Sequence, residues 1–115
     1  MEADAGSSRE VLRRARDEAE LQIASLNRDL NGVIEASRSS NADDEHDPEG
    51  ATIAFERAQV AALLAGARRR LAELEDALRR LDAGRYGRCE RCGSAIPAER
   101  LAVRPSARTC VGCAS

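Results

Sequence analysis

Cys89 and Cys92 form a Cys-x-x-Cys pair, and Cys110 and Cys113 repeat it after 17 intervening residues, which uses all four cysteines of the chain. Two such pairs at this separation have the spacing of one tetrahedral zinc site. Two residues between cysteines let a tight turn aim both sulfurs at one point, and Gly93 offers the backbone freedom such a turn needs. Four thiolates fill the coordination shell of Zn2+ and leave no position for water or substrate, so the expected metal is structural, not catalytic. Disulfides would need an oxidising compartment. Met1 to Glu10 is acidic, small and polar, with no apolar core of a secretory signal, so a reducing cytoplasm is expected. A redox Cys-x-x-Cys would sit on the strand-to-helix turn of a βαβ unit, and nothing here resembles one. One zinc held by Cys89, Cys92, Cys110 and Cys113 is the favoured reading.

A second concentration of chemistry is acidic. Asp43, Asp44, Glu45, Asp47 and Glu49 fall within seven residues and surround the single histidine, His46. Carboxylates suit hard cations and basic surfaces; the plainer alternative is a solvated loop whose charges keep it out of the core. A histidine can titrate near neutrality, although a lone exposed loop histidine is more often inert.

The elements that must position these groups are helices. Residues 1–7 are small and acidic and read as a disordered tail, after which Ser8 is placed to cap a helix. From there Leu12, Ala19, Ile23, Leu26, Leu30 and Val33 recur at the alternating spacing of a coiled-coil seam, with Arg16 its one polar occupant, and the pattern ends near Ser37. Residues 38–49 are rich in turn formers, and Pro48 suits the first position of a second helix. In that helix, Pro48 to Asp82, the seam Val60, Leu64, Ala67, Leu71, Leu74, Leu78 and Leu81 is unbroken. Two helices joined by a short loop fold back most simply as an antiparallel hairpin, about 45 Å long at the rise of an α-helix. Ala83-Gly84 then ends the second helix. The expected fold is therefore mainly α: a coiled-coil hairpin over 8–83 with an acidic tip loop at 38–49, then a four-cysteine module over 84–115. In that module Ile96, Leu101 and Val103 are expected to form a miniature core, with Pro97 and Pro105 stiffening the connection between cysteine pairs.

Composition supports this. Only 2% of residues are aromatic, too few for an ordinary globular core, and 33% are charged, a balance that favours long helices. All 18 basic residues are arginine, which with the alanine content hints at a GC-rich genome and carries no functional signal. Net charge is −7 over residues 1–50, +1 over 51–83 and +4 over 84–115. That asymmetry argues against a nucleic-acid binder spread along the whole molecule, and no apolar run is long enough to span a membrane.

The string Gly84-Arg85-Tyr86-Gly87-x-Cys89-x-x-Cys92-Gly93-x-x-Ile96-Pro97-x-x-Arg100-Leu101-x-x-x-Pro105-x-x-x-x-Cys110-x-x-Cys113, preceded by a coiled-coil hairpin, resembles the DksA/TraR family of four-cysteine zinc-finger proteins. The resemblance runs from about Ser8 to Cys113, and the cysteine end is its specific part. It implies a bacterial regulator that binds RNA polymerase, inserts the hairpin into the secondary channel and brings an acidic tip to the active centre without needing a DNA site. The tip residues it implies are Asp44, Asp47 and Glu49. Family tips of the DksA kind read Asp-x-x-Asp-x-Ala; Asp44 and Asp47 fit, but Glu49 stands in the alanine position, and sliding the register by two puts Ala51 there with His46 and Glu49 as the acids. Some members respond to the nucleotide ppGpp. The basic positions involved fall here on Gly66, Glu73 and Ala114, with Arg104 alone kept as a possible nucleotide or partner contact, so weak or no ppGpp binding is expected.

Two other classes compete. Arg85, Arg88, Arg91, Arg100, Arg104 and Arg108 surround the metal and could contact phosphates, but no aromatic stacking platform or recognition-helix pattern accompanies them. A coiled-coil adaptor could dimerise through the leucine seam, although a hairpin satisfies both seams internally and favours a monomer. An enzyme has the least support, since no catalytic triad, open metal site or phosphate loop is present.

Overall fold

The computed structural model describes residues 5–40 and 48–114. The fold is mainly α: an antiparallel hairpin of two long helices, α1 (Ala5–Ser40) and α2 (Pro48–Asp82), followed by a small four-cysteine module that contains α3 (Ala98–Val103) and a 3-10 turn (Val111–Cys113). α1 starts three residues before Ser8, so Ser8 is an interior helix residue, not the cap, and the helix runs on to Ser40, past the expected end near Ser37. Pro48 does open α2, where its missing N–H costs nothing. Neither long helix is apolar enough over its length to cross a membrane.

The described residues fall into two compact units, one within 19–69 and the other made of 5–18 and 70–114. In the first, Leu26, Leu64 and Ala67 are buried together, with Ile23, Leu30 and Val60 half-buried against them. These are seam positions of both helices, so the 3.5-residue repeat selects the packed stripe. In the second unit Leu12, Leu74 and Ala77 are buried, and Arg9 near the start of α1 pairs with Asp82 at the end of α2.

Two residues past the end of α2 stands Gly84, whose φ of 75° only glycine adopts without strain. The Gly84 amide donates to the Leu81 carbonyl at 3.1 Å and the Arg85 amide to the Arg80 carbonyl at 2.8 Å, the paired bonds of a Schellman cap. The chain thereby leaves the helix in a fixed direction into the cysteine module.

The expected miniature core is corrected at one position. Ile96 is buried and Leu101 half-buried, but Val103 is 88% exposed. Val103 is the last residue of a six-residue helix and lines a groove of about 470 Å3 with Pro97, Arg100 and Val111. The interior is filled instead by Cys89, Ser106 and Ala107.

Candidate metal centre and the arginine network beside it

The first cysteine pair sits on a tight turn. Arg88 and Ala95 form an isolated antiparallel bridge, and the turn between them is closed by Cys89 N–H donating to the Ser94 carbonyl at 2.8 Å and Gly93 N–H to the Cys89 carbonyl at 3.0 Å. Gly93 has a φ of 75°, as the spacing predicts for such a turn. The second pair sits on the 3-10 turn, where the Cys113 and Ala114 amides donate to the Cys110 carbonyl at 3.1 and 3.0 Å. Each pair is thus set by backbone hydrogen bonds that do not involve the sulfurs.

The four sulfurs converge within 4.8 Å of one another. Thiolates placed about 2.3 Å from a central zinc stand about 3.8 Å apart in a tetrahedron, and the Cys92 to Cys110 separation is 3.7 Å. The electrostatics also call for a cation. The Cys92 amide, helped by those of Cys110 and Arg91, draws the Cys89 thiol down to about 6 against the effect of burial. The Ser94 hydroxyl and amide lower Cys92. Cys113 is pushed up to about 12 because it shares its proton with Cys110 first and then with Cys89 and Cys92. Sulfurs this close cannot all ionise on their own, and Zn2+ removes the conflict by taking four thiolates. The donor set, its spacing and its backbone hydrogen bonds fit one structural Zn2+.

Sequence reasoning missed the network beside this centre. Arg80 is only 5% exposed. Its Nε donates to Asp76 Oδ2 at 3.0 Å and its Nη2 to the Ser106 carbonyl at 3.3 Å. Burial pushes the Asp76 carboxyl up, but the Arg80 hydrogen bond and charge, with Arg108 and Arg79 behind them, leave it below its usual range. Arg108 reaches Glu90 at 2.9 Å and Asp76 at 3.7 Å, and Arg104 lies 3.8 Å from Glu73. Tyr86 donates its hydroxyl to the Pro105 carbonyl at 2.8 Å, and burial raises its pKa against the opposing charge of Arg80. Glu73, Asp76, Ala77 and Arg80 recur at three- and four-residue steps, so the last turns of α2 carry a stripe toward the cysteine module as well as the leucine seam. In the sequence that stripe looks like a solvated charged face.

Asp43, Asp44, Glu45, His46 and Asp47 lie outside the described residues, and for Glu49 only its place in the first turn of α2 is described. The two tip registers therefore both stand.

Residues 84–115 match the prokaryotic DksA/TraR C4-type zinc finger. An uncharacterized protein of Aquifex aeolicus (strain VF5) is 48% identical over 44 residues, covering 38% of this chain and 30% of that protein. The uncharacterized protein YteA of Bacillus subtilis (strain 168) is 39% identical over 69 residues, covering 60% of this chain and 29% of that protein. The chain thus spans less than a third of the length of these curated relatives. Among solved structures, transcription factor DksA2 from Pseudomonas aeruginosa superposes with a TM-score of 0.79 and 28% identity, over 97% of this chain and 81% of that one. With the finger matched in sequence and nearly the whole chain matched in three dimensions, the chain carries a C4-type zinc finger of the DksA/TraR kind on a DksA-like fold.

Proposed function

We propose that the protein is a cytoplasmic transcription regulator that binds RNA polymerase and places its acidic hairpin tip in the secondary channel, modulating initiation without reading a DNA sequence. The observation that carries this reading is the match to a transcription factor over 97% of the chain, joined to a family finger at residues 84–115. In this reading the work is divided. The zinc module folds and orients the base of the hairpin and docks on the polymerase, since a closed four-thiolate site has no vacancy for chemistry. Asp44 and Asp47, with Glu49, act at the tip, where carboxylates can approach the metal-bearing active centre. The role is regulatory and not enzymatic; any catalysis belongs to the polymerase.

The test separates docking from effect. Purified protein should bind core RNA polymerase, and Asp44→Asn with Asp47→Asn should abolish its effect on transcription while leaving binding largely intact. A double variant that regulates normally sinks the assignment of the tip.

The alternative of a nucleic-acid-binding zinc module loses ground on the arginines. Of the six in the module, Arg88 bonds the Gly93 carbonyl, Arg100 the Thr109 carbonyl, Arg104 faces Glu73 and Arg108 holds Glu90. Donors engaged in this way are poorly placed to converge on phosphate. A salt-dependent shift of a random duplex at submicromolar protein would restore that reading. A coiled-coil adaptor is weakened by the pairing of seam residues from both helices within one chain, and sedimentation as a monomer is expected.

A further inference from the structure

The segment that delivers the second cysteine pair has no regular structure of its own. Between the end of α3 and the 3-10 turn, residues 104–110 belong to no helix or strand, yet Ser106 and Ala107 are buried. Its carbonyls are held by the Glu90 amide, which donates to Arg108 at 2.9 Å, and by three side chains: Tyr86 to Pro105, Arg80 to Ser106 and Arg100 to Thr109. Tyr86 and Arg100 belong to the cysteine module themselves and travel with it. Arg80 does not. It stands on α2, which supplies no sulfur, and makes the one buried hydrogen bond from that helix to this segment among the described residues.

Arg80 is also a poor choice for stability alone. It is almost wholly buried, and its Nη1 has no hydrogen-bond partner. A buried donor left unsatisfied is costly, and replacing a buried ion pair by an apolar side chain of similar volume is often neutral or stabilising. What an apolar residue could not do is hold Asp76 with one edge of the guanidinium and the Ser106 carbonyl with another.

We propose that Arg80 is the positioning residue of the zinc centre: from outside the ligand set, it fixes the Ser106 carbonyl and thereby the approach of Cys110 and Cys113 to the metal. Groups that orient metal ligands from the next layer out tighten metal binding about 10- to 100-fold, and that is the size of effect assigned to Arg80.

The test uses the full chain loaded with zinc. Metal release to a colorimetric chelator at neutral pH is followed for the wild type, Arg80→Met, Arg80→Lys and, as a control, Arg79→Met at the exposed neighbouring position. Helicity and thermal midpoint are recorded on the same samples, and the thiolate charge-transfer band is recorded after Co2+ substitution. The expected result is zinc release about 10- to 100-fold faster in Arg80→Met, with helicity retained and a shifted Co2+ spectrum. Arg80→Lys keeps the charge but lacks the two-edged fork, so it should release zinc almost as fast as Arg80→Met; Arg79→Met should behave as the wild type. Wild-type release from a folded Arg80→Met overturns the proposal, as does full rescue by lysine, which would reduce the role to charge. If Arg80→Met does not fold, Asp76→Asn decides: it keeps the arginine and loosens its anchor, and release at the wild-type rate from that variant also overturns the proposal.

Discussion

The guanidinium of Arg104 lies 3.8 Å from the carboxylate of Glu73, joining the cysteine module to α2. Glu73 and Arg104 occupy two of the positions at which the family resemblance places ppGpp contacts, and here they face each other with opposite charge. A polyphosphate would have to displace a carboxylate and overcome its repulsion, and one arginine does not make a converging set of donors. Calorimetry on the protein, alone and with core polymerase, should show no micromolar ppGpp binding that depends on this pair. Micromolar binding that disappears in Arg104→Ala would contradict the expectation.

Cys92 is exposed, so its removal leaves no cavity and isolates the loss of one ligand. Cys92→Ser should lose zinc and unfold the module, because the metal supplies folding free energy that so few buried aliphatics cannot replace. Zinc content and limited proteolysis confined to residues 84–115 would record it. Stoichiometric zinc in the variant would mean that three thiolates suffice.

The buried seam and the exposed groove should respond in opposite ways. Leu74, 2% exposed, should cost about 2–5 kcal/mol when cut to alanine. Val103→Ala should stay within about 0.5 kcal/mol, as expected of a surface site. Urea denaturation of both variants checks the ranking, and a large loss at Val103 would mean that it is covered in solution.

Asp76 should give the fold an acid limit. Its carboxyl ionises below the reference value of 3.8 in the folded chain. A depressed acid contributes stability above its unfolded pKa and loses it as pH falls through the folded one. Asp76→Asn should therefore be less stable than the wild type near neutral pH, with the gap closing below about pH 4. A gap that persists unchanged into that range would assign the loss to packing.

Much of this was legible in the chain, for identifiable reasons. The cysteine spacing, Gly93, Pro48 and Gly84 each answer a local demand of geometry, so the turns and helix ends they make could be read directly. The leucine seam could be read because the coiled-coil repeat is local too. The N-terminus of α1 could not: Ser8 looks like a cap, but Ala5, Gly6 and Ser7 continue the helix. The second stripe of α2 was hidden for a different reason. Arg80 is buried only because a segment 26 residues further along folds over it, and nothing in the spacing of Glu73, Asp76 and Arg80 separates a clamp from a solvated face. Val103 failed in the converse way, since an aliphatic in a small module is expected inside until the direction of a short helix is known.

On the proposed function, the acidic tip works inside RNA polymerase while the zinc end holds it there. The most direct measurement is site-specific crosslinking from position 44 of the full chain bound to core polymerase, with the crosslinked peptides identified. The expected crosslinks are to residues lining the secondary channel near the active centre, preserved in Asp47→Asn and lost in Cys92→Ser. Crosslinks confined to the outer surface of the polymerase, or no binding by the wild-type chain, would contradict it.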